Sequence, residues 1–365
     1  MTGPSDWTPP DPALPQGWSQ RQPPPFTSQP PFTPPGWRPP GKGPGVVPLR
    51  PLGLGEILDG AVTYIRQNPR ATLGLSAIVI AISSALQLLP QFLMIDELAD
   101  LLLADTTAGL EELMGALSGT LVATAIGGVI GALAGSVLTG MLAAVVGRAV
   151  LGRSASIGEA WRDVRPRLMR LLGLTLLVFL IFLGVTGVAA LPIAGLIVAG
   201  TAPWLVVPVV LLLALAWAVV GVWLYVRLAL AAPALILERA GVIGALRRSW
   251  TLIRGSFWRV LGILLLTVLI GTTVGLLLQT PFAIAGQVPI IVNPDPAGPG
   301  LKISLVIGAL GGILAGTVVS PFSAGVTTLL YVDQRMRREG LDMTLHAAAG
   351  GTGEDQEQAA SPWEP

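Results

Sequence analysis

The segment LRRSWTLIRGSFWRVLGILLLTVLIGTTVGLLLQTPFAIA (residues 246–285) contains the pattern that decides the fold of this chain. Its first fourteen residues carry four arginines, whereas the twenty-six residues from 260 to 285 carry no charge. A helix that spans a bilayer needs about 20 consecutive apolar residues. The segment therefore predicts an arginine-rich approach to a membrane surface that continues directly into a transmembrane helix.

Six uncharged apolar segments of this kind follow one another along the chain. They cover roughly residues 71–93, 116–146, 171–199, 204–226, 260–285 and 303–330. The composition agrees, because 52% of the 365 residues are hydrophobic and 12% are charged, about half the charged share of soluble domains. The predicted fold class is an all-α polytopic membrane protein with six transmembrane helices. The prolines expected to kink these helices or mark their ends are Pro90, Pro192, Pro208, Pro281 and Pro321.

The distribution of charge predicts the topology. Of the 22 lysines and arginines, 21 fall before the first span, after the sixth, or in the segments between spans two and three and between spans four and five. Lys302 is the exception. Positive charge is retained on the cytoplasmic side of bacterial membranes, so both termini are expected in the cytoplasm. The loop between spans one and two has no base and carries Asp96, Glu97, Asp100, Asp105, Glu111 and Glu112.

An amphipathic pattern recurs before each odd-numbered span. Apolar stripes repeat at i, i+3, i+4, i+7 and i+11 from Leu54, Ile157 and Leu246, and each stripe leads into a span that opens with a Leu-Gly pair. This spacing places one apolar face on a helix. The sequence therefore predicts three repeats of an interfacial helix and a transmembrane hairpin, at about 51–150, 151–240 and 241–340.

The amphipathic helices are candidates for contact with lipid headgroups. Arginine outnumbers lysine 20 to 2, and its planar guanidinium suits bidentate contact with phosphate. Tryptophan favours the membrane interface. We expect anionic lipids to be partners; the alternative is that these helices pack on loops and only set the topology. The candidate residues are Arg162, Arg247, Arg248, Trp250, Arg254, Trp258 and Arg259.

Two spans carry glycine at four-residue spacing, which lets neighbouring helices approach closely. We expect packing within the chain, with an oligomer interface as the alternative. The residues are Gly127, Gly131 and Gly135 in span two, and Gly308, Gly312 and Gly316 in span six.

The six spans contain no Asp, Glu, Lys, Arg or His, although ion-coupled transporters usually place such groups at membrane depth. Scattered polar residues such as Gln87 and Gln279 could line a path. Arg227 follows span four directly. It either snorkels to the interface or pairs with Glu238 in a buried polar site.

The residue inventory argues against catalysis, a cofactor or a metal. The chain has no cysteine and one histidine, His346, which excludes HExxH-type sites and makes a Ser-His-Asp triad improbable. No phosphate-binding Gly-Lys-Ser/Thr loop occurs. The acidic loop is interpreted as the polar side of a surface helix, with a divalent-cation site as the alternative. We expect no nucleic-acid partner.

Sixteen of the first fifty residues are proline, so residues 1–50 are predicted to be a disordered cytoplasmic tail with polyproline II character. The alternatives are a solvated tail or a docking site for a cytoplasmic protein. Residues 51–345 form the membrane domain, and residues 346–365 a second disordered tail.

Three stretches together resemble one bacterial family: PLRPLGLGEILDGAVTYIRQNPR (48–70), LRRSWTLIRGSFWRVLGILLL (246–266) and LLYVDQRMRREGLD (329–342). The family is labelled glycerophosphoryl diester phosphodiesterase membrane domain and is abundant in high-GC Gram-positive bacteria. The resemblance implies a bacterial inner-membrane protein with a loose link to lipid or envelope biology. The enzymatic part of the label does not carry over, because the chain lacks the catalytic barrel and its histidines.

These observations favour a non-catalytic membrane protein that organises lipid or protein partners at the cytoplasmic face. The alternative is a permease or channel for a small or lipid-like solute. A third hypothesis is the membrane part of a glycerophosphodiester-metabolising system.

Overall fold

A computed structural model describes residues 50–103, 110–151, 156–200, 203–293 and 299–340, without the side chains of residues 93–103 and most of 110–121. Within these ranges the chain is almost entirely helical and contains no strand. Ten α-helices follow in order: α1 (Leu54–Gln67), α2 (Pro69–Leu103), α3 (Leu110–Val150), α4 (Ile157–Val164), α5 (Leu168–Val198), α6 (Pro203–Leu228), α7 (Ala231–Leu237), α8 (Val242–Ile253), α9 (Phe257–Val292) and α10 (Pro299–Glu339).

The described ranges contain six helical segments long and apolar enough to cross a membrane. Their bounds are Pro69–Phe92, Val122–Val150, Ile157–Ile193, Trp204–Leu237, Phe257–Val292 and Pro299–Glu339. The all-α, six-span fold class is therefore confirmed. The longest helices, α3 and α10, have 41 residues each, or about 60 Å, twice the hydrocarbon thickness of about 30 Å. All five predicted prolines lie inside helices rather than at their ends.

The long helices fall into two groups. Helix α10 packs against α2, α3 and α9, and α2 also packs against α3. The α5–α6 hairpin is much less buried. Only 6% of the most apolar part of each of its two spans is buried inside the protein, compared with 44% for the span in α3. Most of the hairpin surface is therefore available to lipid.

Buried side chains are concentrated at one end of the bundle, where α1, α4, α7 and α8 also lie. Among the described residues, the largest fully buried side chains include Tyr64, Leu142, Leu235 and Tyr331. We call this the arginine-rich end, because Arg148, Arg248, Arg259 and Arg335 all lie there.

The three short helices α1, α4 and α8 precede α2, α5 and α9, as the stripes predict. In each helix the stripe positions i+3 and i+7 are buried against the protein: Ile57 and Ala61, Ala160 and Val164, Ser249 and Ile253. Position i+4 is exposed in two of them, as Trp161 and Trp250. Part of each apolar stripe therefore packs on the bundle, and only the remaining stripe positions are available for contact with the membrane. The threefold repeat stays a prediction.

Ser249 stabilises the break between α6 and α7. Its hydroxyl donates to the carbonyl of Arg227 (2.7 Å) and accepts from the backbone N–H of Leu230 (3.2 Å). Both backbone groups lie where the helix ends, so the chain itself supplies no intrahelical partner for them. The sequence pattern places Ser249 in the apolar stripe of α8. In the structure this buried position needs a hydroxyl, because the hydroxyl bonds both backbone groups.

We predict that Ser249→Ala lowers the free energy of unfolding by about 1–3 kcal/mol, because it leaves two buried backbone groups without their partner. Unfolding in mixed micelles with increasing dodecyl sulfate measures this. Thr251→Val is the control: it removes an exposed hydroxyl bonded to its own helix and should change little. Equal effects of the two substitutions would contradict this role of Ser249.

Candidate functional site

Asp333 joins three parts of the chain at the arginine-rich end. Its fully buried carboxylate accepts from the backbone N–H of Leu52 (2.8 Å), from Arg337 Nε (2.9 Å) and from Arg259 Nη1. Arg259 and Arg337 each also donate to the carbonyl of Leu52, at 2.8 Å. One carboxylate and two guanidinium groups thus fix the segment that leads into α1 to both α9 and α10.

Glu238 forms a second buried ionic cluster with α8 and α10. It accepts from Arg248 Nε (2.9 Å) and from the Tyr331 hydroxyl, and lies 3.4 Å from Arg335 Nε. Glu339 accepts from Arg248 (2.6 Å) and Arg335 (2.8 Å). Burial alone would lower the pKa of Arg248, but its bonds to both glutamates raise that pKa above its usual value. The cluster ties the α7–α8 connection to the end of α10.

Arg148 ties the end of α3 to α4, donating to Glu159 (3.0 Å) and Asp163 (2.7 Å). This pair is more exposed than the two clusters above. Arg167 and Arg170 donate to backbone carbonyls at the end of α7, Ile236 (3.2 Å) and Arg239 (3.4 Å). Cations at a helix C-terminus are favoured by the helix dipole.

Another group of arginines faces outward at the same end. These side chains are exposed and hydrogen-bond to no carboxylate in the described part of the chain. They are Arg66, Arg70, Arg162, Arg165, Arg247 and Arg254. The arginine-rich end therefore contains two populations: arginines used for folding and arginines left available to a ligand.

Arg227 lies among aromatic rings and does not pair with Glu238. Its guanidinium carbon is 5.0 Å from the centre of the Trp250 ring, 5.7 Å from Trp223 and 5.9 Å from Phe257. Glu238 is occupied by Arg248, Arg335 and Tyr331 instead. Of the two alternatives for Arg227, the buried pair is thus wrong. Cation–π contacts hold this side chain between α6, the last turn of α8 and the start of α9.

The predicted headgroup residues divide between these environments. Arg162, Arg247 and Arg254 are exposed, and Trp258 is 80% exposed. Trp250 packs edge-on against Trp223 with its other side exposed. Arg248 and Arg259, in contrast, are committed to Glu238, Glu339 and Asp333. We therefore revise the expectation for these two, because a guanidinium bonded to a carboxylate is less available to a lipid phosphate.

A cavity of about 410 Å³ lies between α2, α9 and α10, away from the arginine-rich end. We call it the α2–α9–α10 cavity. Five polar, uncharged side chains line it: Ser84, Gln87, Gln91, Gln287 and Ser304. The remaining lining residues are Leu88, Phe282, Ala283, Gly286, Leu305, Gly308 and Ala309. Gln87, predicted as a polar-path residue, is among them, whereas Gln279 is not.

One family model matches the chain over residues 52–334, more than three quarters of its length. Its description is "Domain of unknown function (DUF7847)". The chain belongs to this family. The DUF7847 match begins at Leu52 and ends at Gln334, so it includes α1 to α9, most of α10, and Asp333 with its partners Leu52 and Arg259, but not Arg337. No curated protein and no solved structure matches the chain significantly. The description mentions no phosphodiesterase, and that resemblance stays a prediction.

The predicted packing glycines of this DUF7847 protein make few close contacts. A Cβ at Gly131 would lie 3.5 Å from the Gln87 amide, and one at Gly127 3.9 Å from Gln87; one at Gly316 would lie 3.0 Å from Ile80. Gly135, Gly308 and Gly312 have no such neighbour within 4 Å. The tightest helix contacts occur at other glycines, namely Gly140, Gly147, Gly300, Gly311 and Gly325. The four-residue spacing of glycines therefore identifies a glycine-rich helix face, but it does not show which of these glycines contact a neighbouring helix.

Several predictions for the DUF7847 chain lie outside the described residues. These are residues 1–49, residues 341–365, Asp105, and the side chains of Asp96, Glu97, Asp100, Glu111 and Glu112. Within the described ranges no group of three or more His, Asp or Glu could hold a metal ion.

Sequence reasoning missed the Asp333 and Glu238 clusters. A signal was present: Asp333 follows an uncharged run and precedes three arginines in the stretch VDQRMRRE. A carboxylate at that position needs a cationic partner to be buried.

Proposed function

We propose that this protein is a non-catalytic organiser of the bacterial cell membrane that gathers anionic lipids at its cytoplasmic face. The observation that carries the proposal is the division of the arginines. Within the described ranges, Arg248, Arg259 and Arg337 are bonded to carboxylates, while six exposed arginines at the same end are not. Exposed guanidinium groups with no internal partner suit lipid phosphates.

Helix α8 supplies the best-defined part of this surface. Arg247 lies within α8, and Arg254 is the residue that directly follows its last turn. Trp250 lies between them in sequence and Trp258 follows, and tryptophan marks headgroup depth. Each arginine near an anionic surface contributes about 1 kcal/mol. Since positive charge is retained inside, this face is proposed to be cytoplasmic. The proline-rich tail would then reach cytoplasmic proteins.

Replacing both Arg247 and Arg254 by glutamine is predicted to reduce the preference for anionic lipid several-fold. The measurement uses the full chain in bilayers and compares spin-labelled phosphatidylglycerol with spin-labelled phosphatidylcholine. Lys302→Gln removes a charge from the opposite end and should leave the preference unchanged. Equal association of both lipids with the unsubstituted protein would contradict the proposal.

The α2–α9–α10 cavity supports a second candidate, a permease for a small or lipid-like solute. Its polar lining lies away from the closed, ionic arginine-rich end, which fits a pathway open to one side. Solute flux in proteoliposomes that stops when the cavity is filled would favour this candidate over the organiser.

A further inference from the structure

We infer that the α2–α9–α10 cavity binds an uncharged, hydroxyl-rich group, such as a sugar ring. None of the described residues that line it is ionisable. Three primary amides and two hydroxyls face it, and both kinds of group donate and accept hydrogen bonds. Vicinal hydroxyls do the same, whereas a phosphate or carboxylate would enter without a counter-charge. The inference concerns the end opposite the proposed headgroup surface and does not depend on it.

The polar side chains that line the cavity have donors and acceptors that form no hydrogen bond within the described part of the chain. Gln87 Nε2 donates to the carbonyl of Ser83 (3.2 Å). The side chains of Ser84, Gln91, Gln287 and Ser304 form no hydrogen bond with the described part of the chain. Several hydroxyls elsewhere in the spans donate back to their own helix, as Ser83 does to Ile80 (3.0 Å), whereas the Ser76 hydroxyl has no partner in the described part of the chain. Gln91 and Gln287 are exposed and Ser84, Gln87 and Ser304 are half-buried, so donors and acceptors that converge on this space are accessible to a ligand that enters it.

The local sequence keeps this space open. Pro90, Pro281 and Pro289 lie inside α2 and α9, next to or near the lining residues, and each proline removes one helical hydrogen bond and bends its helix. Gly286 and Gly308 contribute no side chain to the lining. A volume of about 410 Å³ falls within the usual range of small-molecule sites, roughly 300–1,000 Å³.

The position of the cavity fits the far membrane interface. Gln287 is 28 residues from Arg259, and Ser304 is 29 residues from Asp333. At 1.5 Å per residue these positions lie about 40 Å from the arginine-rich end, beyond a hydrocarbon layer of about 30 Å. A sugar there could be free in the surrounding water or attached to a lipid. The amides and hydroxyls would bind it, and Phe282 with Leu88 and Leu305 would contact its apolar face.

Binding of two probes to the full chain in phosphatidylcholine nanodiscs tests the inference. Free glucose represents the soluble source, and glucosyl diacylglycerol represents the lipid source. Glucose 6-phosphate and phosphatidylglycerol are the charged comparators. We expect at least one uncharged probe to bind more tightly than its charged comparator. Binding of neither uncharged probe, or equal binding of probe and comparator, would overturn the inference.

Two pairs of variants place the binding in the cavity. Gly308→Leu fills it, and Gly312→Leu, one turn away on the same helix, adds the same side chain outside the lining; neither glycine has a neighbouring atom within 4 Å of its Cβ position. Gln287→Leu removes an amide that lines the cavity, whereas Gln279→Leu removes a likewise exposed amide of α9 that does not line it.

We expect Gly308→Leu to abolish binding of the uncharged probe and Gln287→Leu to weaken it about tenfold, with unchanged binding in both controls. If Gly312→Leu or Gln279→Leu were as harmful as its partner, the cavity would not be the site. Arg247→Gln with Arg254→Gln should leave sugar binding intact, which separates this result from the proposed lipid preference.

Discussion

Asp333→Asn is expected to lower the free energy of unfolding by about 3–5 kcal/mol, the usual cost of breaking a buried ionic interaction on one side. The substitution keeps the shape of the side chain but removes its charge. Arg259 and Arg337 would then face a neutral amide at the position where both now meet a carboxylate. An amide has only one oxygen, so it cannot replace all four bonds accepted by Asp333, which include a long one from Gln334 Nε2 (3.4 Å).

The part of the protein that unfolds first distinguishes this prediction from a general loss of stability. Asp333 holds the backbone N–H of Leu52, and its two arginines hold the Leu52 carbonyl. The segment before α1 should therefore be released first. Hydrogen exchange of α1, measured beside unfolding in dodecyl sulfate, should show faster exchange in α1 than in α9.

Asp163→Asn is the matched control. Asp163 also accepts from an arginine, Arg148 at 2.7 Å, but its side chain is 37% exposed. Exposed ion pairs contribute about 0–1 kcal/mol, so this variant should unfold almost like the unsubstituted protein. Equal stability of the two variants would show that Asp333 is not a buried anchor.

The six spans and their approximate positions could be predicted from the sequence. A bilayer imposes one strong condition, a run of about 20 apolar residues, and the segment from 260 to 285 meets it regardless of its neighbours. The short helices before α2, α5 and α9 could be predicted for a similar reason, because an amphipathic stripe such as Leu54 to Ile65 is a local property.

The ionic clusters could not be predicted with the same method. Arg259 and Asp333 are separated by 74 residues, and Glu238 and Tyr331 by 93. Their pairing depends on how α7, α9 and α10 pack. The same arginine pattern therefore predicted lipid contact for Arg248 and Arg254 alike, although only Arg248 has carboxylate partners in the fold.

The cavity had only a partial signal in the sequence. Gln87 stood out as a polar residue within a span, but so did Gln279, which is exposed elsewhere. Gln87 and Gln287 are 200 residues apart, and only the packing of α2 and α9 against α10 brings them to one space. The sequence thus shows which residues of the spans are polar, but it does not show which of them line the same cavity.

Gly325→Leu is expected to destabilise the bundle by about 3 kcal/mol, at the upper end of the usual cost of overpacking. A Cβ at this position of α10 would overlap the Tyr64 ring and lie 3.2 Å from the Cβ of Ala61. Tyr64 cannot move aside easily, because it is fully buried and its hydroxyl donates to the carbonyl of Pro321. Burial also raises the pKa of Tyr64, which keeps that hydroxyl protonated. Helix α1 would have to leave α10.

Gly312→Leu makes the same substitution on the same helix where the Cβ position is open, so it controls for the change in helix propensity and hydrophobicity. A double-mutant cycle with Tyr64→Ala then isolates the steric cause. If the leucine overlaps the ring, removing the ring should recover part of the lost unfolding free energy, and the two effects will not add. Strict additivity, or equal stability of the Gly325 and Gly312 variants, would mean that α1 does not pack on α10 through this glycine. The fold would then have to hold α1 through the Asp333 contacts alone.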